Sequence, residues 1–178
     1  MMAEPAEEGA LALSWFGDCS ALVRPPGAAA QVVGDALDHR GAETASAAAL
    51  AAELGVHPAG ALNRPEFLAD RRAERNRRNT EGYAWALAPD RACADHAETT
   101  VVATPPGTLI LLASDGFTTL VSDYGLYDPG ALIDAVLEHG LQPLFDRLRA
   151  TEDADPHGAR HPRFKKSDDA TAVLLRVI

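Results

Sequence analysis

Apolar positions along the chain change period several times, and each change marks an element. From Ala10 to Phe16, Leu11, Leu13 and Trp15 alternate with small residues, the period of a half-buried strand, and Gly17-Asp18 supplies a turn. Cys19 to Val23 reads as the return strand of a hairpin, closed by Pro25-Pro26-Gly27, and Gln31 to Leu37 as a weaker strand. From Ala42 to Leu54 the chain turns to alanine, leucine and glutamate, which predicts a helix stopped by Gly55. A second helix is predicted from Pro65 to near Asn79; its apolar face is thin, which places it on the surface.

Gly82 to Leu87 and Thr99 to Ala103 read as strands around a loop. Leu109 to Ala113 is apolar throughout and framed by Pro106-Gly107 and Asp115-Gly116, the pattern of a strand buried on both faces. Two helices follow, one carrying Leu132, Ile133, Val136 and Leu137 with Gly140 as its stop, the other carrying Leu141, Leu144, Phe145 and Leu148. A polar loop from Thr151 to Ser167 leads to a final strand, Ala170 to Val177. Strands and helices in this mixture predict one α/β domain over residues 1–178, long enough to bury a core and too short for two domains.

Composition narrows the function classes. Hydrophobic residues make up 47% of the chain, which argues against general disorder, and no apolar run approaches the ~20 residues of a membrane helix. The acidic N-terminus, with Glu4, Glu7 and Glu8, is unlike a basic signal or transit segment, and the two cysteines, Cys19 and Cys93, fit a reducing cytoplasm. A formal charge of −10 opposes non-specific binding to nucleic acid, so neither nucleic acid nor membrane is expected as a partner.

Against that background, aspartates stand beside the apolar strands. Asp115 follows Leu109–Ala113 in Ala113-Ser114-Asp115-Gly116, and Asp168-Asp169 immediately precede the terminal strand. If these strands are neighbours, their carboxylates meet at one sheet edge, where hard cations such as Mg²⁺ and Mn²⁺ find the oxygen donors they prefer. The same residues also read as ordinary turn formers.

Taken together, three segments resemble the protein phosphatase type 2C family of metal-dependent serine/threonine phosphatases. They are Trp15-Phe16-Gly17-Asp18-Cys19-Ser20-Ala21, Leu111-Leu112-Ala113-Ser114-Asp115-Gly116-Phe117 and Asp168-Asp169-Ala170-Thr171-Ala172-Val173-Leu174-Leu175, in the family's order. The resemblance covers the chain from about Leu11 onward. It implies an α+β fold of two packed antiparallel sheets flanked by helices in an αββα order. It further implies two Mn²⁺ or Mg²⁺ ions that activate a water for in-line attack on a phosphomonoester, with no covalent protein intermediate. By the same resemblance Asp115 and Asp168 are metal ligands, with Asp18 close by at a further, weaker site. Ser114, Gly116 and Asp169 support them, and the partners are a phosphorylated protein and a cognate serine/threonine kinase.

The sequence also departs from the family. The substrate-binding arginine and the Asp-Gly strand that open the pattern have no counterpart in the roughly sixteen residues before the Gly-Asp turn, and Glu4, Glu7 and Glu8 do not replace them. Cys19-Ser20 stand for Ser-Arg, Thr119 for an aspartate, and Asp169 for an asparagine. The chain therefore reads as the C-terminal two-thirds of the fold. That is compatible with a truncated or split gene, or a start assigned too far downstream. Its alternative functions are a catalytically incomplete binding or regulatory module and an inert fragment.

Other constellations carry less. Arg71, Arg72, Arg75, Arg77 and Arg78 form a basic patch that could receive a phosphorylated or acidic partner, or form a solvated face balanced by Asp70, Glu74 and Glu81. The six histidines show no zinc spacing; His157 and His161 read as loop residues. Arg160, Arg163, Lys165 and Lys166 approach Asp168 in sequence and read either as substrate contacts or, more simply, as parts of a loop expected to be mobile and solvated.

Overall fold

A computed structural model of the chain describes residues 1–7, 9–34 and 36–178, leaving aside the side chains of residues 36–40, 42 and 63. Glu8, in the acidic N-terminus, and Asp35, within the predicted weak strand, lie outside the described residues. Among the described residues two antiparallel sheets and five α-helices form an α+β sandwich. Strands β1 (Met2–Pro5), β2 (Ala10–Trp15) and β5 (Glu98–Ala103) make one sheet in the order β1-β2-β5. Strands β4 (Gln31–Val33), β3 (Ser20–Arg24), β6 (Leu109–Ala113) and β7 (Ala172–Arg176) make the other, in the order β4-β3-β6-β7. The helices are α1 (Ala36–Leu54), α2 (Pro65–Asn76), α3 (Asp115–Ser122), α4 (Pro129–His139) and α5 (Gln142–Ala154).

Strand alternation in the four-stranded sheet divides the core in two. Leu22, Leu109, Leu111 and Ala113 point to Phe117 and Leu120 of α3, Leu132, Ile133 and Val136 of α4, and Leu144 and Leu148 of α5. The intervening Ala21, Val23 and Ile110 point the other way, onto Leu13, Trp15 and Val102 of the three-stranded sheet. β6 is apolar on every residue because it faces a layer on each side, as its sequence predicts. The layers are helices, four-stranded sheet and three-stranded sheet; among the described residues no helix residue enters the cluster between the sheets, and Val101 on the three-stranded sheet is 60% exposed.

Several expectations change. β2 and β3 are not a hairpin: Gly17, at φ 62°, turns the chain out of one sheet and into the other. Met2–Pro5, whose acidic residues suggested no strand, pairs with β2 because the backbone ladder recruits it and Ala3 reaches the inter-sheet cluster. The chain after Val33 is helix from Ala36, so α1 starts earlier than its alanine-rich stretch. Gly82–Leu87 is not a strand; Ala84 and Ala86 bond instead to Asn79. Asp115-Gly116 is no isolated turn but the start of α3. Cys19 and Cys93 are both free. No helix among the described residues is long and apolar enough to cross a membrane.

The outer strands β4 and β5 leave an open groove of about 620 Å³ between the sheets, lined by Trp15, Val32, Val33 and Val102 among others. The Trp15 Nε1 donor is buried there with no hydrogen-bond partner among the described residues.

Candidate metal centre

Strand register brings the three sequence-selected aspartates to one edge. Ser20 pairs with Ala113, and Ala113 with Ala172, so β3 begins, β6 ends and β7 begins at the same end of the sheet. Asp18 lies two residues before that line, Asp115 two after it and Asp168 four before it. Alternate directions of three antiparallel neighbours produce this meeting; nothing in the local sequence of any one of them does.

Asp115 is the first residue of α3 and half-buried. A carboxylate in a first helical turn is favoured by the unpaired N–H groups and the helix dipole. Its backbone carbonyl accepts from Thr118 Oγ1 at 2.9 Å, and the Gly116 carbonyl accepts from Thr119 Oγ1 at 2.8 Å. Thr119 is buried, so the residue that departs from the family's aspartate here braces the first turn of α3.

Ser114 joins this turn to the segment before β7. Its N–H donates to the Thr171 carbonyl at 3.0 Å, its Oγ accepts from Thr171 N–H at 3.0 Å, and Oγ also donates to the Asp169 carbonyl at 3.4 Å. Gly116 permits the approach: a Cβ there would sit 2.2 Å from the Asp169 carbonyl oxygen and 3.2 Å from the Asp168 Cβ. The sequence thus places glycine where the two backbones touch.

Asp168 is held from three directions. Its Oδ1 accepts the Asp169 N–H at 2.8 Å and pairs with Lys165 Nζ at 2.5 Å, while its carbonyl accepts from Arg149 Nη2 at 2.8 Å. Arg149 also pairs with the buried Glu152 at 2.7 Å. Asp169 and Asp18 are exposed, Asp18 within the turn between the sheets.

The loop ahead of Asp168 is not the mobile, solvated segment expected. Asp155 and Arg163 are both buried and form an ion pair at 3.1 Å. The Asp155 carboxylate accepts the N–H groups of Ala159, Arg160 and His161, at 2.8, 3.2 and 3.0 Å. Burial pushes its pKa up, but these N–H donors and the Arg163 guanidinium outweigh that and hold it below the usual aspartate value. Arg163 also donates to the carbonyls of Glu152, Asp155, His161 and Lys166. Further along, Ala59 N–H bonds the His157 carbonyl and Gly60 N–H the Phe164 carbonyl, and His57 stacks on His157 at 4.4 Å. Arg163 therefore fixes a loop and is not directed at substrate, and Lys166 pairs with Asp153 at 2.6 Å. Sequence reasoning missed Arg149 and Asp155; the signal present was an acidic helix end followed by a basic loop, which alone does not announce a buried pair.

As a donor set, Asp115 and Asp168 fit a hard divalent cation taken up by two carboxylates with water completing its shell, the usual habit of Mg²⁺. They do not make a closed cage: among the described residues no three Asp, Glu, His or Cys side chains gather around one point. Lys165 would have to leave Asp168 Oδ1, which its 56% exposed side chain allows. Comparison of the chain with protein-family models, with curated proteins and with solved structures finds no match.

Proposed function

We propose that the chain is a metal-dependent protein serine/threonine phosphatase, its two packed sheets and one helical layer corresponding to part of the αββα arrangement its sequence motifs imply. The observation that carries this reading is the common sheet end reached by Asp18, Asp115 and Asp168 through neighbouring β3, β6 and β7. Motifs that are separate in sequence and resemble one family's metal ligands thus reach one sheet end, which supports the reading.

In this reading Asp115 and Asp168 hold Mn²⁺ or Mg²⁺, and Asp18 lies beside them for a weaker ion. The cation supplies a water of lowered pKa and neutralises charge on the phosphoryl oxygens. The chain's own part is positional. Ser114 and Gly116 seat the Asp168 segment on the start of α3, and Arg149 fixes the Asp168 carbonyl. Lys165 brings a cation to the edge where a phosphate would arrive. A phosphorylated protein is the substrate class, with a cognate kinase in the same cytoplasmic setting.

The Lys165–Asp168 pair also favours a second reading, a phosphatase-like binding module without turnover, because it gives Asp168 an internal counter-ion. Hydrolysis of a phosphothreonine peptide separates the two. The phosphatase reading expects turnover that requires Mn²⁺ and falls at least a hundredfold in Asp115→Asn and in Asp168→Asn, about 2.7 kcal/mol of transition-state stabilisation each. A cooperatively folded chain that turns nothing over at any Mn²⁺ concentration is the binding module.

A further inference from the structure

Helix α2 buries none of its side chains, and every residue from 68 to 78 is exposed. It hangs from the single 3-10 turn Ala61–Asn63, where Arg71 Nη1 donates to the Leu62 carbonyl at 3.3 Å. The chain beyond it is folded back on itself. Asn79, the one non-glycine residue with positive φ among the described residues, donates its N–H to the Ala84 carbonyl and accepts the Ala86 N–H on Oδ1 at 2.7 Å. Arg77 lies over the Tyr83 ring at 5.6 Å. The helix and its return loop are thus a shaped arm with no core of its own.

Its charges are sorted. Glu66, Asp70 and Glu74 recur at intervals of four along one row, while Arg71 and Arg75, with Arg72 beside them, line a neighbouring face around Leu68, which is 38% exposed. Like charges therefore occupy helical-neighbour positions at 66/70, 70/74, 71/75 and 72/75, an arrangement that opposes the helix; within α2 the complementary position is 71/74, with Glu74 also opposite Arg77 and Arg78 just past its end. A face built for solvation alone would interleave the signs. At the start of α2 its N-cap Arg64 pairs with Glu66 at 3.0 Å, and Arg72, Arg75 and Arg78 form no ion pair among the described residues. Residues 64–78 carry six arginines against three carboxylates, a surplus of +3, inside a chain of formal charge −10; the remainder thus carries −13.

We propose that the arginine face of α2, centred on Arg72 and Arg75 with Leu68 between them, docks a short acidic segment of a protein partner. Guanidinium forks suit carboxylates, and Leu68 gives the segment an apolar contact. Scale selects the occupant. The twelve residues of α2 extend about 18 Å, and charge is screened beyond roughly 8 Å at physiological salt. A short acidic stretch stays within the arm's field, whereas a long polyanion such as nucleic acid would run onto the acidic remainder. This inference stands independently of the phosphatase reading.

The test is fluorescence anisotropy with a labelled glutamate-rich peptide long enough to span α2, titrated with the intact chain at low and at physiological salt. The expected result is binding that weakens with salt and drops about tenfold or more in Arg72→Glu/Arg75→Glu. Arg72→Lys/Arg75→Lys should retain most of it, and Asp70→Arg/Glu74→Arg should tighten it. Because α2 buries nothing, all three variants should melt with the intact chain; Arg72→Gln/Arg75→Gln replaces the reversed pair if that one unfolds. Absence of binding, or equal binding by the reversed or glutamine variant, overturns the proposal. So does tighter binding of a single-stranded nucleic acid of equal charge through the same arginines.

Discussion

A methyl group at position 116 would meet the Asp169 carbonyl oxygen at 2.2 Å, a distance no real contact sustains. Gly116→Ala must therefore push residues 168–169 off the start of α3. We expect it to lower stability by about 1–3 kcal/mol, as overpacking does, and to weaken Mn²⁺ binding with it. Thermal unfolding with and without Mn²⁺ measures both, and an unchanged melting curve would mean that the segment has room to spare. At this scale the sequence was informative where chemistry is local. Asp115, Asp168 and Gly116 stand out by type and neighbours, and register places them together. It pointed to Lys165, three residues from Asp168, but was uninformative about Arg149, which meets Asp168 only through the path of the loop between them.

Between α5 and β7 the chain is a loop by every local rule, yet it is organised as tightly as a helix end. Asp155 and Arg163 form its centre, and removing one partner of a buried pair costs about 3–5 kcal/mol, so Arg163→Met should destabilise the fold by that order. The pH dependence follows from the lowered pKa of Asp155. The unfolded chain binds this proton at a higher pH than the folded one. The contribution is therefore complete above about pH 4 and is lost as pH falls through the lower folded value. Urea unfolding of the intact chain and of Asp155→Asn should give curves that differ at neutral pH and approach one another as pH falls below about 4. A difference that does not narrow in acid would contradict this account. Strongly periodic elements such as β6, α4 and α5 were legible because burial on a defined face sets their pattern. β1 and the strand-free stretch at residues 82–87 were not, because pairing partners decided the first and the Asn79 turn decided the second.

Over the whole molecule, a helical layer covers one sheet while the outer strands β4 and β5 flank an open groove holding an indole donor unpartnered among the described residues. Alternation and the one strand apolar on both faces made a mixed domain of strands and helices legible, whereas the two packed antiparallel sheets were implied by the motif resemblance and not by the pattern. The assignment of β2 and β3 to different sheets was not, since a Gly-Asp turn serves a hairpin and a crossover equally well. That crossover matters for function, because it sets Asp18 at the same sheet end as Asp115 and Asp168. The central claim is that this end holds a divalent cation, and the direct test is titration with Mn²⁺, reading free ion by its paramagnetic resonance signal. We predict binding in the micromolar to millimolar range and thermal stabilisation by mass action, near 2.7 kcal/mol at a hundredfold excess over Kd. Affinity should fall at least tenfold in Asp115→Asn and in Asp168→Asn, and less in Asp18→Asn, about 1.4 kcal/mol marking the threshold. A folded chain that leaves all Mn²⁺ free, or variants that bind as tightly as the intact chain, would contradict the account.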